Sequence, residues 1–332
     1  MPRNDSSASE NRRLAPDDLR NILVFLVVTF GLAWLIALPL WTGEGLASPW
    51  FLVVSIGMML TPTIGALLVV FILERPAQKA RALGLWPMTP VKRFLGYLAL
   101  GLVVPIVLVL AALPIGALLG VYPADFVNFS GFEEQLEAQL GAAGAPDLPF
   151  SLGTLVALQL LTIPLGALLN LAPAMGEELG WRGWLLPKLM PLGTVPALLI
   201  SGIIWGLWHA PLVLLGYNYA SGPGWLGLSM MTGMCIIVGA VFGWLRLRSE
   251  SVWPAALAHG SFNAAAGSYL LFSMAGEHID TTQATILGWT GWILPLALVG
   301  VLLLTGSFSP VRQQPESQAR QSTEDRELHA SE

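Results

Sequence analysis

Long uncharged apolar runs are the feature that most limits what this chain can form. About 20 such residues cross a bilayer as a helix, which satisfies the backbone polar groups inside the hydrocarbon. Only 11% of the 332 residues are charged, against about 25% in a soluble domain. We therefore predict an all-α, polytopic membrane helix bundle. Its eight predicted spans lie at residues 22–41, 50–73, 94–120, 152–175, 195–216, 224–245, 252–274 and 284–306.

Lysine and arginine alternate between the predicted loops. They occur in the N-terminal tail, after the second, fourth and sixth spans, and in the C-terminal tail. Four intervening stretches contain neither residue, near positions 42–49, 121–151, 217–223 and 275–283. Basic loops are typically cytoplasmic. The alternation therefore predicts eight spans with both termini in the cytoplasm.

The polar ends and the apolar middle divide the chain into three parts. We expect residues 1–20 to be a polar cytoplasmic tail, residues 21–307 a transmembrane domain, and residues 308–332 a disordered cytoplasmic tail. No cleavable signal peptide is indicated, because the first apolar run is too long. The single cysteine, Cys235, excludes an intrachain disulfide.

Two segments need a separate interpretation. Pro164, Pro173 and Pro187 interrupt the fourth apolar region, which could be one long helix or a spanning helix followed by a shallower one. In the outer loop, Ser130 and Glu133 fit a capping box, which predicts a short amphipathic helix. That helix could rest on the bundle or act as a lid over a substrate.

A charged stretch interrupts the apolar sequence at residues 175–182. Glu177, Glu178 and Arg182 lie there, where each charge is costly unless it is paired or functional. Residues four apart share a helical face, so Glu178 can pair with Arg182. Glu177 points about 100° away around the helix, free to face a cavity.

Two further polar clusters lie within predicted spans. His209 follows Trp205 by one helical turn in the fifth span, and His259 precedes Asn263 by one turn in the seventh. His278 and His329 fall in a loop and a tail, and we assign them no role. Glycines accompany the clusters and would let the fourth, fifth and seventh helices pack closely. They are Gly176, Gly180, Gly202, Gly206 and Gly260.

The three motifs, taken in order, resemble the CPBP family of intramembrane proteases, also called the CAAX protease or Abi family. They are Glu-Glu-x-x-x-Arg at 177–182, aromatic-x-x-x-His at 205–209 and His-x-x-x-Asn at 259–263. The resemblance covers residues 175–263. The family usually has phenylalanine where this chain has Trp205, and we expect an aromatic packing role to survive that change.

The resemblance implies an endopeptidase that hydrolyses a peptide bond in or near the membrane. Glu177 then looks like the general base that activates water. His209, His259 and Asn263 look like the groups that position water and stabilise the oxyanion. Glu178 and Arg182 look like supports that orient the first glutamate.

The resemblance leaves the cofactor open. His209 and His259 are candidate zinc ligands, with a glutamate as a possible third, but the zinc-protease motif His-Glu-x-x-His does not occur. We therefore keep zinc and metal-free catalysis as alternatives, and expect no other cofactor.

The expected partners are a peptide or membrane-protein substrate and the lipid bilayer, with no nucleic acid. Short loops favour a bacterial plasma membrane. The sequence does not decide whether the substrate is prenylated or how many copies assemble. Two other functions stay open: a non-catalytic membrane scaffold or bacteriocin-immunity protein, and a proton-coupled or ion-coupled transporter. The transporter reading would need an internal repeat with paired broken helices, and the sequence contains no convincing one.

Overall fold

A computed structural model of the chain describes residues 14–143 and 150–308. These residues form an all-α bundle. In chain order, its α-helices are α1 (Pro16–Thr42), α2 (Phe51–Met59), α3 (Thr61–Leu68), α4 (Lys79–Ala82), α5 (Val91–Leu118), α6 (Ser130–Ala143), α7 (Leu152–Glu178), α8 (Leu186–Leu189), α9 (Thr194–Trp208), α10 (Ala210–Val213), α11 (Gly224–Ser249), α12 (Trp253–Ala266) and α13 (Ile293–Leu304). The tails predicted at 1–20 and 308–332 lie largely outside the described residues.

Five helical segments of the described chain are long and apolar enough to cross a membrane. They are Pro16–Thr42, Phe51–Glu74, Val91–Leu118, Leu152–Leu192 and Gly224–Ser249, which match the predicted first, second, third, fourth and sixth spans. The protein is therefore a multi-pass membrane protein with an all-α fold. The helices at the other three predicted spans are shorter, so the count of eight and the cytoplasmic termini stay predictions.

The fifth predicted span is short because its helix stops at the first histidine of the motif set. α9 ends at Trp208, His209 caps it, and α10 begins at Ala210. Pro211 is the second residue of α10. Proline has no N–H to continue the helical ladder, so a helix is favoured to end just before it. His209 consequently lies at a helix end rather than within a regular helix.

The fourth predicted span is one long helical run. α7 continues into a π-helical segment, Leu179–Leu185, then into α8 and a 3₁₀ turn that ends at Leu192. The run has 41 residues, so the interpretation as two separate helices is wrong. Pro164 and Pro173 lie inside α7 without ending it. The π-helical segment follows the two glutamates directly, and such segments are frequent at functional sites.

The outer loop contains the predicted helix, α6, but the predicted capping box is wrong. The Oγ atom of Ser130 accepts a hydrogen bond from the backbone N–H of Ala275 at 3.2 Å. The Asp125 carboxylate instead accepts hydrogen bonds from the backbone N–H groups of Val127, Asn128 and Ser130, at and just before the start of the helix. Phe132 packs against Val156 of α7. α6 therefore rests on the bundle, as one of the two interpretations predicted.

Glycines bring the central helices into direct contact. α12 packs most extensively on α7 and α5, and α9 packs on α11. A Cβ atom on Gly202 would lie 2.5 Å from the Ile236 Cα of α11, and one on Gly260 would lie 2.6 Å from the Ala167 carbonyl oxygen. These positions admit no larger side chain without displacing backbone. The predicted close packing is confirmed for the fourth and seventh spans, whereas the glycines of the fifth span face the sixth. The three polar clusters nevertheless line or adjoin one cavity.

Candidate active site

A cavity of about 560 Å³ lies among α2, α7, α9, α12 and the loop that follows α10. Four of the six predicted site residues line it: Glu177, His209, His259 and Asn263. The remaining two, Glu178 and Arg182, lie behind the wall of the cavity and are fully buried. The structure therefore divides the six residues into a set that faces the cavity and a set that supports it.

The supporting set is a buried chain of charge-assisted hydrogen bonds. Arg182 Nη1 donates to Glu178 Oε1 at 2.8 Å, the pairing that helical spacing predicted. His259 Nδ1 lies 3.0 Å from the same oxygen. Glu178 is 0% exposed and Arg182 is 1% exposed, so neither charge is compensated by water. One glutamate thus fixes both the arginine and the ring orientation of a cavity histidine.

Arg182 is also held by aromatic rings. Its guanidinium carbon lies 4.1 Å from the centre of the Trp205 ring and 5.4 Å from that of Phe242. Phe242 in turn stacks on His259 at 5.7 Å. Desolvated cation–π contacts of this kind are worth about 2 kcal/mol. They limit the movement of the arginine and therefore of the glutamate that it binds.

Glu177 is 2% exposed and is fixed by Trp205. The indole Nε1 of Trp205 donates to Glu177 Oε2 at 2.7 Å. The sequence predicted only aromatic packing for Trp205, so this hydrogen bond is an additional role. With Oε2 engaged by the indole, Oε1 is the oxygen left to meet a molecule in the cavity. A phenylalanine at this position could not make the bond.

Both cavity histidines have Nδ1 engaged, which decides the chemistry of the other ring nitrogen. His209 Nδ1 lies 2.9 Å from the Trp205 carbonyl oxygen, and His259 Nδ1 is bonded to Glu178. A carbonyl or carboxylate oxygen can only accept, so Nδ1 carries the proton in each ring. In the neutral rings, Nε2 therefore offers a lone pair to a proton, a water or a metal.

Several polar residues that line the cavity were missed by the sequence interpretation, among them Asn170 and Tyr217. Asn170 precedes Glu177 by seven residues, or about two helical turns, so the spacing contained the signal. Its Nδ2 donates to the Gly166 carbonyl oxygen at 2.9 Å. Tyr217 lies in the loop after α10, where no helical period could have placed it.

The residues near the cavity do not form a ready metal site. No group of three or more histidine, cysteine, aspartate or glutamate side chains is arranged to hold a metal ion in the described part of the chain. The Nδ1 hydrogen bonds of His209 and His259 are of the kind that orient zinc ligands, but a third ligand does not join them. We therefore derive no step through a metal.

The fold and the site together define a multi-pass membrane protein with a buried carboxylate–histidine cavity. Residues 159–265, which contain all six predicted site residues, match the family model described as type II CAAX prenyl endopeptidase Rce1-like. A stretch of 147 residues is 29% identical to CAAX prenyl protease 2 of Methanococcus maripaludis.

That alignment covers 42% of this chain and 49% of the relative. The chain thus spans about half the length of the curated relative that it matches. The resemblance indicated by the motifs is confirmed: this segment is similar to the CAAX protease family.

Proposed function

We propose that this protein is an intramembrane endopeptidase of the CAAX type that hydrolyses a peptide bond with water activated by Glu177. The observation that supports this proposal most is the buried Glu177 carboxylate, whose Oε2 accepts a hydrogen bond from Trp205 Nε1 at 2.7 Å. Glu177 lines the same cavity as His209, His259 and Asn263. The family match of the same segment supports this reaction class.

Glu177 acts as the general base in this proposal. Its free oxygen, Oε1, takes a proton from a water in the cavity, and the water oxygen attacks the carbonyl carbon of the substrate. The same carboxyl then delivers the proton to the leaving amine nitrogen, so that the peptide C–N bond breaks and the carboxylate is restored. General acid–base catalysis of this kind contributes about 10²–10⁴-fold.

Asn263 is the oxyanion donor in the neutral site. Its carboxamide N–H groups are donors in any protonation state, whereas the Nε2 atoms of the neutral histidines are acceptors. An oxyanion-hole donor is worth about 10²–10³ in kcat. Asn170 lines the same cavity but its Nδ2 is already bonded to Gly166, which makes it a suitable comparison for Asn263.

His259 and His209 position water and exchange protons through Nε2. When His259 accepts a proton there, the Glu178 carboxylate at Nδ1 stabilises the resulting imidazolium, the arrangement that a carboxylate gives to a catalytic histidine. Glu178 and Arg182 therefore act as positioning residues. Zinc bound by the two histidines stays a separate proposal, which metal analysis of the purified protein with and without a chelator would test.

An apolar peptide segment is the substrate that the cavity suits. Its lining includes Phe51, Met58, Met59 and Phe262, which favours apolar or lipid-modified chains. We propose that the enzyme works in a bacterial plasma membrane, with the site in the cytoplasmic half.

The test is hydrolysis by the purified, reconstituted full chain. Two peptides of identical sequence, with and without an isoprenoid on a cysteine near the C-terminus, would be presented with a library of apolar peptides, and products identified by mass spectrometry. Glu177→Gln is the matched control, because its amide oxygen can still accept the Trp205 hydrogen bond but its carboxamide cannot act as the base.

We expect cleavage by the wild type and a loss of about 10³-fold in kcat for Glu177→Gln. Faster cleavage of the isoprenoid peptide would assign a lipid-modified substrate. No cleavage of any peptide would contradict the peptidase proposal and favour the non-catalytic scaffold. Solute uptake driven by a pH gradient would favour the transporter, if the wild type shows it and Glu177→Gln does not.

A further inference from the structure

A second cavity, of about 470 Å³, lies at the end of the bundle that we predict to be cytoplasmic. It shares no lining residue with the candidate active site. The start of α1, the ends of α4, α11 and the π-helical segment Val69–Glu74, and α8 surround it. Five charged side chains line it: Asp18, Glu74, Arg81, Lys188 and Arg246. Cations therefore outnumber carboxylates by one.

The two carboxylates of this cavity are paired with the same lysine. Lys188 Nζ lies 2.9 Å from Asp18 Oδ1 and 2.9 Å from Glu74 Oε1. The second oxygen of Glu74 accepts the indole N–H of Trp184 at 3.3 Å. Lys188 thus offsets one of the two negative charges, and the two arginines leave the lining with one positive charge in excess.

Arg246 is buried with no hydrogen bond or close ion pair among the described residues, and Glu250 acts on it only over a longer distance. The residue is 9% exposed, and its Nε atom has no hydrogen-bond partner among the described residues. Glu250, four residues further on, lies 3.8 Å from Arg93 instead. A Cβ atom on Gly84 would lie 2.8 Å from Arg246 Nε, so the loop backbone covers the guanidinium closely. A buried guanidinium in this condition is costly unless an anion joins it.

The donors and the location determine which anion this cavity would bind. The planar guanidinium groups of Arg246 and the exposed Arg81 can bind phosphate oxygens in a bidentate manner. Basic pockets between transmembrane helices on the cytoplasmic side suit anionic lipid headgroups. Exposed apolar side chains lie close in sequence to the lining residues, since Leu19 follows Asp18, and Phe71 and Ile72 precede Glu74. These side chains offer a surface for acyl chains.

We infer that this cavity binds the phosphate group of an anionic phospholipid through Arg246 and Arg81. The lipid phosphate would give the buried Arg246 a hydrogen-bonded anion. It would also link the start of α1 with α8 and the end of α11. Because α8 continues the helical run that carries the glutamates, the bound lipid would also steady the helix that positions the candidate active site.

The test is the melting temperature of the purified full chain in a neutral detergent. Short-chain phosphatidylglycerol, phosphatidylcholine with the same acyl chains, and inorganic phosphate would be titrated separately. We expect phosphatidylglycerol to stabilise the wild type most. Arg246→Gln and Arg81→Gln should each raise its apparent Kd about tenfold or more, since each removes a charge-assisted contact. Arg75→Gln, an exposed arginine outside the cavity, should leave the Kd unchanged.

Three outcomes would count against the inference. An equal loss of affinity for phosphatidylglycerol in Arg75→Gln would mean that the basic surface attracts the lipid diffusely and that no specific site exists. Equal stabilisation by inorganic phosphate would keep the phosphate site but overturn the lipid as its source. Arg246→Gln should melt at the wild-type temperature or above it when no anion is present, because it removes an unpaired buried charge. A lower melting temperature would show that the chain itself satisfies the guanidinium, which would overturn the proposal.

Discussion

Replacing Arg182 with methionine should strongly destabilise the protein. The substitution keeps the length of the apolar stem and removes the guanidinium that lies 2.8 Å from Glu178. Glu178, at 0% exposure, would keep only the hydrogen bond from His259 at 3.0 Å. Removing one partner of a buried ion pair costs about 3–5 kcal/mol, and the cation–π contact with Trp205 is lost as well. Because His259 still donates a hydrogen bond to Glu178, we expect a loss of stability near the lower end of that range, about 3 kcal/mol.

The assay is thermal unfolding of the reconstituted protein, read by intrinsic fluorescence. A loss of about 3 kcal/mol corresponds to a fall of about 5 °C or more in melting temperature. The double variant Glu178→Gln with Arg182→Met should recover part of this loss, because it leaves no buried charge uncompensated. Arg20→Met is the exposed control, since the Arg20–Asp17 pair is open to solvent and should contribute about 1 kcal/mol at most. An Arg182→Met protein with the same melting temperature as the wild type would refute the reasoning.

Three further predictions follow from single contacts. Trp205→Phe should lower kcat/KM about tenfold or more by freeing Glu177, whereas Trp208→Phe, whose indole bonds a Thr61 hydroxyl at 3.1 Å, should lower it less in the same kinetic assay. Gly180→Ala should cost about 1–3 kcal/mol in thermal unfolding, because its Cβ would lie 2.5 Å from a Pro62 carbon. In the outer loop, hydrogen bonds from the Asn128 backbone, and then from Ser130 and Val127, hold the pKa of Asp125 at about 2, below its usual 3.8. The protection of the amides at the start of α6 against hydrogen exchange, relative to their intrinsic rates, should therefore hold above pH 3.8 and fall as the pH drops through about 2. Asp125→Asn should abolish that change in protection.

The spans with long, uniform apolar runs were predictable from the sequence. α1 and α5 begin and end within six residues of the predicted bounds, because hydrophobicity alone decides where a chain can enter a membrane. The seventh predicted span was less predictable, since α12 gives way to a 3₁₀ turn at Gly267 although the apolar run continues. Apolar length therefore predicted the segment but not its helical geometry.

The pairing within the site was predictable, but part of its geometry was not. The Glu178–Arg182 pair follows from a spacing of four on one helix, and the structure contains it. The bond from Trp205 to Glu177 joins residues 28 apart, and a one-letter aromatic pattern does not distinguish an indole N–H from a phenyl ring. The predicted capping by Ser130 was wrong for a related reason, because its hydroxyl oxygen accepts a hydrogen bond from the backbone N–H of Ala275, in a loop distant in sequence. Contacts between distant segments require the packing of the whole bundle.

The division of labour between the two glutamates is the central claim, and single-turnover kinetics of Glu177→Gln and Glu178→Gln test it most directly. Melting temperatures of both variants would be measured on the same preparations. We predict that Glu177→Gln lowers the hydrolysis rate about 10³-fold with little change in melting temperature. Glu178→Gln should lower the melting temperature, because it leaves Arg182 buried without its carboxylate, and should reduce the rate less. A Glu177→Gln protein that hydrolyses substrate at the wild-type rate, while Glu178→Gln is inactive at an unchanged melting temperature, would contradict the account.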